Sequence, residues 1–174
     1  MTLQLEPATK TESSVAYCDT IETPLGPFSV AVDEKGAVLA AAFGDSSALA
    51  LAGREAVADR ERTREAREQL EAYFAGKRRD FTLPLAPAAT DFQRRYRDEM
   101  AHLGFGQTTT YGRLARTLGT SARAAGRANA TNPLCLIVPC HRVIGTNGSL
   151  TGYAFGLDVK LWLLEHEGAA LPVR

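Results

Sequence analysis

The sequence predicts an α/β N-terminal domain with a small antiparallel sheet and helices, followed by a mainly α-helical C-terminal domain that contains a helix-turn-helix. Three observations predict this fold class: an alternating strand pattern near the start, a helical stripe further along, and two short helical patterns joined at a glycine. The chain of 174 residues is long enough for one large domain or two small ones. A Pro-Ala-Ala linker at 87–89 places the predicted boundary between residues 1–88 and residues 89–174.

The strand pattern lies near the N-terminus. Phe28, Val30 and Val32 alternate with small or polar residues, as expected of a strand with one buried face. Residues 33–36 (Asp-Glu-Lys-Gly) have the composition of a turn, and a second apolar run follows at 38–43. These features predict a hairpin within the sheet.

The helical stripe follows the strands. Residues 46–75 are predicted to be helical, and Leu70, Tyr73 and Phe74 have the i, i+3, i+4 spacing of one buried face. Gly76 fits the position just past the end of a helix, where glycine is common.

The two short helices in the second half predict a helix-turn-helix. Residues 110–119 have the pattern of a short helix ending at a glycine, and Ser121 can cap a second helix over 122–130. Two short helices joined through a glycine-containing turn match this motif. Thr90 is expected to cap a further helix before them.

The second helix of this pair is built from very small residues, with Arg123 and Arg127 projecting from it. Its small residues are Ala122, Ala124, Ala125, Gly126, Ala128 and Ala130. Such a helix suits either the minor groove of DNA or tight packing against the neighbouring domain. The segment alone favours DNA only slightly.

The charge distribution bears on the same choice. Net charge is zero overall, but residues 92–142 carry eight arginines against two acidic residues, a net +6. On charge alone, a surface facing a polyanion and a solvated helix face are about equally well supported. Together with the small-residue helix, the arginine excess favours DNA.

The most informative segment is Pro-Cys-His-Arg at 139–142. A free cysteine has a pKa of about 8.5, so little of it is thiolate at neutral pH unless a base activates it. Cys140 taken alone would be a buried structural thiol, but His141 beside it favours a reactive one. Glu165 and Glu167 on a C-terminal helix are the candidates to orient His141.

The surroundings of this segment are predicted from spacing. Leu161, Leu164 and Gly168 define the inward side of the C-terminal helix, which leaves Glu167 near its edge. The glycine-rich loop at 145–156 is expected to form one wall of a pocket over the cysteine. Because it lacks a nucleotide-binding glycine motif, a phosphate site there is weakly supported.

The remaining cysteines and the termini exclude several classes. With Cys18, Cys135 and Cys140 the count is odd and no CxxC pair occurs, so neither a disulfide framework nor a zinc site is expected. Cys18 and Cys135 are expected to be buried structural thiols. No apolar run of about 18 residues predicts a membrane helix, and no secretory signal is present, so a cytoplasmic location is expected.

The stretch from Phe92 to Glu167 resembles the O6-alkylguanine-DNA alkyltransferases, also called methylated-DNA–protein-cysteine methyltransferases. The matching segments are Phe92-Gln93, Thr110-Tyr111 with Leu114-Ala115, Ala122-Arg123-Ala124, Asn132-Pro133, Pro139 to Ile144, Gly152-Tyr153, and Lys160 with Leu163-Leu164 and Glu167. Upstream, Thr23-Pro24-Leu25-Gly26 and Tyr73-Phe74 with Gly76 resemble the family's smaller N-terminal domain. The order and spacing of these segments make the resemblance specific, and it covers most of the chain.

The resemblance implies a suicidal repair reaction. Cys140 would accept the alkyl group from O6 of guanine, and also from O4 of thymine, in a single turnover. His141 would relay the cysteine proton through a water, Glu167 would orient His141, and Asn132 would brace the turn that presents Cys140. Tyr111 would act at the flipped nucleotide as guanine leaves.

The resemblance also implies a DNA-binding surface. Arg123 would fill the gap left in the base stack, Tyr153 would stack along the flipped base, and the backbone of Val143 and Ala154 would contact its edge. The residues placed in or beside the minor groove are Ala124, Gly126 and Arg127. The expected partner is double-stranded DNA carrying O6-alkylguanine, bound by a monomer, with no membrane, cofactor or metal ion.

One departure from the family bears on the substrate. Phe155 stands where the family usually has glycine, so bulky groups such as benzyl on O6 are expected to be poorly accepted. Two alternative functions stay open from the residues alone. One is a Cys-His hydrolase, although adjacent Cys140 and His141 are unusual for that class. The other is a non-catalytic lesion-binding protein, which would not need a reactive thiol.

Overall fold

The structure is a computed structural model that describes residues 14–171. Four strands form one sheet in the order β3-β2-β1-β4. The strands are β1 (Val15–Thr23), β2 (Gly26–Val32), β3 (Val38–Phe43) and β4 (Glu55–Ala58). β1, β2 and β3 pair antiparallel, as the sequence predicts, while β4 lies parallel to β1 and makes the sheet mixed.

The helix predicted over residues 46–75 is wrong in its first half. Ser46–Ala48 is a single 3₁₀ turn capped by Asp45, and β4 follows it. Two successive residues at positive φ, Ala52 at 51° and Gly53 at 83°, break the chain direction between them. The helical propensity of this alanine- and glutamate-containing segment loses to backbone pairing with the open edge of β1, a non-local interaction.

Helix α1 (Arg64–Phe74) covers one face of the sheet, and its predicted stripe is confirmed. Leu70 and Tyr73 are fully buried, and Phe74 meets Phe28 of β2 edge to face. The predicted stop at Gly76 is confirmed too. Its φ is 71°, and backbone hydrogen bonds after the last helical residue close the turn.

The second half of the chain is helical, as predicted. The helices are α2 (Asp91–Met100), α3 (Tyr111–Leu118), α4 (Ala122–Ala130) and α5 (Leu157–His166), with a two-stranded parallel ladder of β5 (Thr109–Thr110) and β6 (Val143–Ile144). Thr90, Thr110 and Ser121 each accept a backbone hydrogen bond at the start of α2, α3 and α4. Among the described residues, none of the helices has the length and hydrophobicity that crossing a membrane requires.

The two halves share one hydrophobic core, and a strand edge holds the cysteine segment in it. The amide of Ala41 in β3 donates to the carbonyl of Pro133 at 2.9 Å, and the amide of Cys135 donates back to Ala41 at 3.0 Å. The apolar run that precedes Cys140 is therefore fastened to the sheet. This contact places the predicted reactive cysteine where the sheet meets the helices.

Gly119 makes the turn between α3 and α4 in the left-handed region, with φ 63° and ψ 40°. A Cβ added there would meet no atom within 4 Å, so only backbone strain opposes a side chain. We expect Gly119→Ala to cost about 1–2 kcal/mol of unfolding free energy, measured by thermal or urea unfolding. Gly76 is also left-handed with open space around it, so Gly76→Ala is the matched control and should lower the free energy of unfolding by a similar amount. An unchanged or higher melting temperature for Gly119→Ala would contradict this account.

Candidate active site

Two tight turns deliver Cys140 to its position. Leu136 has φ 73° and is the centre of a γ-turn, closed by a hydrogen bond of 2.9 Å between the residues on either side of it. Pro139, with φ −80° and ψ 65°, is the centre of an inverse γ-turn that the Cys140 amide closes at 2.8 Å to Val138. A 3₁₀ turn, Cys140–Arg142, follows at once. A positive φ at leucine persists only because the surrounding contacts hold it.

Asn132 supplies part of that hold. Its Nδ2 donates to the carbonyl of Val138 at 3.0 Å, and its Oδ1 accepts from the amide of Leu134 at 3.1 Å. One side chain therefore ties both ends of the turn centred on Leu136. This is the position that the resemblance gives to Asn132.

Behind the cysteine, the Glu167 carboxylate gathers five hydrogen bonds. Its Oε1 lies 2.8 Å from Nε2 of His141, 2.7 Å from the Tyr73 hydroxyl and 3.0 Å from Nη2 of Arg142. Its Oε2 accepts from Nε of Arg142 at 2.9 Å and from the amide of Gly106 at 3.1 Å. Tyr73, predicted only as a core residue, therefore brings the N-terminal half into the site.

The position of Glu167 corrects one sequence inference. The sequence places it near the edge of the C-terminal helix, but it is the capping residue after α5 and only 5% exposed. The buried side chains of α5 are Lys160, Leu163 and Leu164, and Leu161 is half-buried. Leu164 is buried, as predicted, but the inward face is turned away from Leu161 and the exposed Gly168 towards Leu163 and Lys160, whose Nζ donates to the Val143 carbonyl.

The charge state of Glu167 and the tautomer of His141 follow from these contacts. Burial would raise the pKa of Glu167, but the hydrogen bonds from His141 and Arg142 together hold that pKa well below its usual range. A permanently ionised carboxylate accepts the proton of Nε2, so neutral His141 carries its lone pair on Nδ1. Nδ1 is buried and has no hydrogen-bond partner among the described residues. It is the ring nitrogen that can act as a base.

The Cys140 thiol is set to ionise. A hydrogen bond from Cys135 is the largest cause that lowers the pKa of Cys140, to about 6. Burial opposes this effect. The positive charge that His141 carries once Nδ1 has taken up a proton reinforces it, as do hydrogen bonds from Asn132 and Tyr153. The lowered pKa increases the share of thiolate, which is the nucleophilic form, at neutral pH.

Sequence reasoning missed the part that Cys135 plays. The thiol is buried, as predicted, but its sulfur lies 3.3 Å from the Tyr153 hydroxyl, and it is the neighbour that lowers the pKa of Cys140 most. Burial and the neighbouring Cys140 thiolate both raise the pKa of Cys135, so it stays protonated and can donate. The only signal in the sequence was that Cys135 lies five residues before Cys140. This spacing does not predict a contact unless the turn at Leu136 is known.

A cavity of about 610 Å³ opens over Cys140. Six predicted site residues line it: Tyr111, Gly126, Asn132, Cys140, Tyr153 and Ala154. Phe155 lines it as well and packs between Phe43 of β3, with ring centroids 5.4 Å apart, and Tyr153, at 5.7 Å. The glycine-rich loop forms one wall, as the sequence predicts, and α4 forms the opposite one.

Other predicted residues lie outside this cavity. Arg123, Ala124 and Arg127 line a neighbouring groove of about 700 Å³ on the far side of α4. Val143 is buried in β6, and its carbonyl already accepts from Nζ of Lys160 at 2.6 Å. Lys160 also bonds the carbonyl of Thr151 at 3.0 Å, and burial lowers its pKa to about 8. It fastens two walls of the site together, a part that the sequence analysis did not give it.

Apart from Arg142, which is buried against Glu167, the arginine excess divides into two groups. Arg94 pairs with acidic residues of its own helix, while Arg95 and Arg97 donate to backbone carbonyls of Leu118 and Ala86. The arginines exposed on α3 and α4 are Arg113, Arg116, Arg123 and Arg127. The positive surface is therefore concentrated on the helix-turn-helix, beside the cavity.

The fold joins a small mixed sheet to a helix-turn-helix, and its buried His141–Glu167 pair lies directly behind a cysteine that opens onto a cavity. Two family profiles match this chain in succession. The ribonuclease-like domain of 6-O-methylguanine DNA methyltransferase matches residues 16–87, and the DNA binding domain of the same family matches residues 91–169. The chain belongs to the 6-O-methylguanine DNA methyltransferase family.

Individual relatives agree with this assignment. The methylated-DNA–protein-cysteine methyltransferase of Methanosarcina acetivorans is 43% identical over 155 residues, which cover 88% of this chain and 99% of the relative. The protein of the same name from Mycobacterium leprae is 48% identical over 105 residues, 59% of this chain and 64% of the relative. A crystal structure of Mycobacterium tuberculosis OGT in complex with DNA superposes with a TM-score of 0.77 at 36% identity, covering 87% of this chain and 92% of the other.

The Cys135 contact makes a testable difference to Cys140. Because the thiolate is the reactive form, alkylation of Cys140 by iodoacetamide should rise with pH and level off at a lower pH than for an ordinary thiol, whose pKa is about 8.5. In Cys135→Ala the donor is lost, so the pKa should rise and the plateau should move to higher pH. Cys135→Ser keeps a donor and should stay near the wild-type profile. Mass spectrometry of the Cys140 peptide across pH gives the midpoints, and identical midpoints for wild type and Cys135→Ala would contradict the assignment.

Proposed function

We propose that this protein repairs alkylated DNA by direct reversal, moving a methyl or other alkyl group from O6 of guanine, and from O4 of thymine, to Cys140. The observation that carries this proposal is the position of the Cys140 thiolate at the base of a cavity beside the arginine-bearing helix-turn-helix. Family membership supports the reaction class, and the contacts described above support the part of each residue.

The nucleophile is prepared by the buried pair behind it. Glu167 holds Nε2 of His141, so Nδ1 takes the thiol proton, through a water, while the hydrogen bonds around the sulfur stabilise the thiolate. Asn132 keeps the turn rigid, which fixes the direction of attack. A preorganised thiolate has less rearrangement to undergo in the transition state.

The substrate has to leave the base stack, because O6 of a paired guanine is inaccessible within the duplex. Flipping costs a few kcal/mol, and Arg123 on the exposed side of α4 would fill the gap and offset part of that cost. The small residues around Arg123, with Arg127, would let α4 approach the minor groove closely. The flipped base would enter the cavity between Tyr153 and Tyr111, with the backbone of Ala154 along its edge. The Val143 carbonyl already accepts from Lys160, so it would support this wall from behind.

The transfer step balances without a cofactor. The Cys140 sulfur attacks the alkyl carbon, an S–C bond forms as the C–O6 bond breaks, and the electron pair stays on guanine. Guanine takes up one proton, equivalent to the one the thiol released, while Tyr111 donates a hydrogen bond to the developing charge. Because the product is a thioether, which water does not readily cleave, each molecule acts once.

The same proposal includes the setting of the reaction. The protein acts as a monomer on double-stranded DNA carrying O6-alkylguanine, in the cytoplasm, with the chain divided into residues 1–88 and 89–174. The second half holds Cys140 and the helix-turn-helix, and the first supports it through Tyr73 and β3.

The decisive experiment is a mass measurement. Protein is mixed with duplex DNA that carries one O6-methylguanine, and intact mass is followed by peptide mapping. We expect a gain of one methyl group per protein, on Cys140, and none in Cys140→Ser. A methyl group on Cys135 would contradict the assignment of the acceptor, and repeated turnover of an acyl ester would favour a Cys-His hydrolase instead.

Phe155 is proposed to restrict the range of alkyl groups. Its ring lines the cavity and is held by Phe43 and Tyr153, so it cannot turn aside without losing both contacts. Each such aromatic contact is worth about 0.5–1.5 kcal/mol. A benzyl group on O6 would compete with the ring for the same space.

Widening the cavity should therefore change substrate preference. We expect Phe155→Gly to raise the rate of inactivation by O6-benzylguanine about tenfold or more, because the benzyl group no longer has to displace an aromatic contact of that energy. The rate of methyl transfer from DNA should change less. Phe155→Leu keeps a large side chain and is the matched control. Rapid inactivation of the wild-type protein by O6-benzylguanine would refute the restriction.

A further inference from the structure

Asn129 has no part in the mechanism above, yet it is the centre of a buried hydrogen-bond cluster that includes Tyr111 and Cys140. It lies in the last turn of α4 and is 6% exposed. Its Oδ1 accepts from the Tyr96 hydroxyl at 2.7 Å, and its Nδ2 donates to the Cys140 carbonyl at 3.1 Å and to the Tyr111 hydroxyl at 3.2 Å. One amide therefore joins α2, α3, α4 and the cysteine.

The donor directions in this cluster follow from the chemistry of each group. The Cys140 carbonyl can only accept, so it must face Nδ2 of Asn129, and Oδ1 must face Tyr96. The second N–H of the same amide points at the oxygen of Tyr111, which therefore accepts. The Tyr111 proton is left for another acceptor, and it points at the carbonyl of Gly152 on the cavity wall, 3.3 Å away.

The bond to Gly152 is the exchangeable one. O–H···O bonds are ordinarily about 2.7–2.8 Å long, so this contact is weak, and Gly152 lies in an exposed loop. Tyr96 donates to Asn129, Asn129 donates to Tyr111, and Tyr111 donates to Gly152, so all the hydrogen bonds in the series point the same way. In such a chain each bond polarises the next, which makes the last hydroxyl a stronger hydrogen-bond donor. Burial raises the pKa of Tyr111, and the hydrogen bond from Asn129 opposes that rise.

We propose that Asn129 is a positioning residue for alkyl transfer, which aims the Tyr111 hydroxyl proton into the cavity. The inference rests on the proposed function, because Tyr111 meets the substrate only there. A base in the cavity replaces Gly152 as the acceptor.

A mutant cycle tests whether Asn129 acts through Tyr111. Wild type, Asn129→Leu, Tyr111→Phe and the double variant are compared by rapid quench with duplex DNA carrying O6-methylguanine. Tyr111→Phe should slow the saturating rate constant about 10²-fold, as for one lost transition-state donor. Asn129→Leu should slow it about tenfold, and the double variant should be no slower than Tyr111→Phe within about twofold. The apparent dissociation constant for the DNA should not change.

A purely structural role for Asn129 gives a different result. The two losses would then multiply in the double variant, and that outcome, or a full-speed Asn129→Leu, overturns the inference. Leu70→Ala, which removes buried packing in the N-terminal half, is the stability control, and any rate loss it causes should persist in full beside Tyr111→Phe.

Two safeguards keep the result interpretable. If Asn129→Leu does not fold, Tyr96→Phe removes only the hydroxyl that starts the series. Its smaller rate loss should vanish in the Tyr111→Phe background, and a loss that persists there overturns the inference. If wild-type protein accepts no methyl group on Cys140, the proposed function itself fails, whereas normal wild-type transfer with multiplying losses rejects only the part given to Asn129.

Discussion

A carboxylate placed in an apolar interior has to find hydrogen bonds for its lone pairs, and Glu167 finds five. They come from helix α1, from the segment before β5 and from the two residues that follow the cysteine. A buried charge is costly unless such partners surround it, and the loss of the cationic partner, Arg142, would leave it uncompensated. The position of His141 is therefore set by contacts drawn from the whole chain.

This constraint joins the two halves more tightly than hydrophobic packing alone would. The Tyr73 hydroxyl reaches Glu167 from α1, and β3 holds the cysteine segment through Ala41. Neither residue touches the cavity. Both nevertheless fix the geometry of Cys140, because the turn that carries it lies between these two attachments.

Local signals in the sequence predicted local structure well. Ser121 as a helix cap and Gly119 as a left-handed stop are determined by neighbouring residues, so the helix-turn-helix was predictable. The strand at Glu55–Ala58 was not, because only its pairing with β1 makes it a strand. Cys135 and Asn129 were missed for the same reason. Their partners are brought to them by the turn at Leu136 and by the packing of helices, which no short motif encodes.

The contact between Phe155 and Phe43 separates the chemistry of the site from its selectivity. The groups that ionise and attack are fixed by the cysteine segment and its carboxylate, whereas the width of the cavity depends on a ring that rests on a strand of the sheet. Variation in β3 can therefore alter the width of the cavity without changing any of the groups proposed to react. In this architecture a lineage can broaden or narrow its repertoire of damage while its nucleophile stays the same.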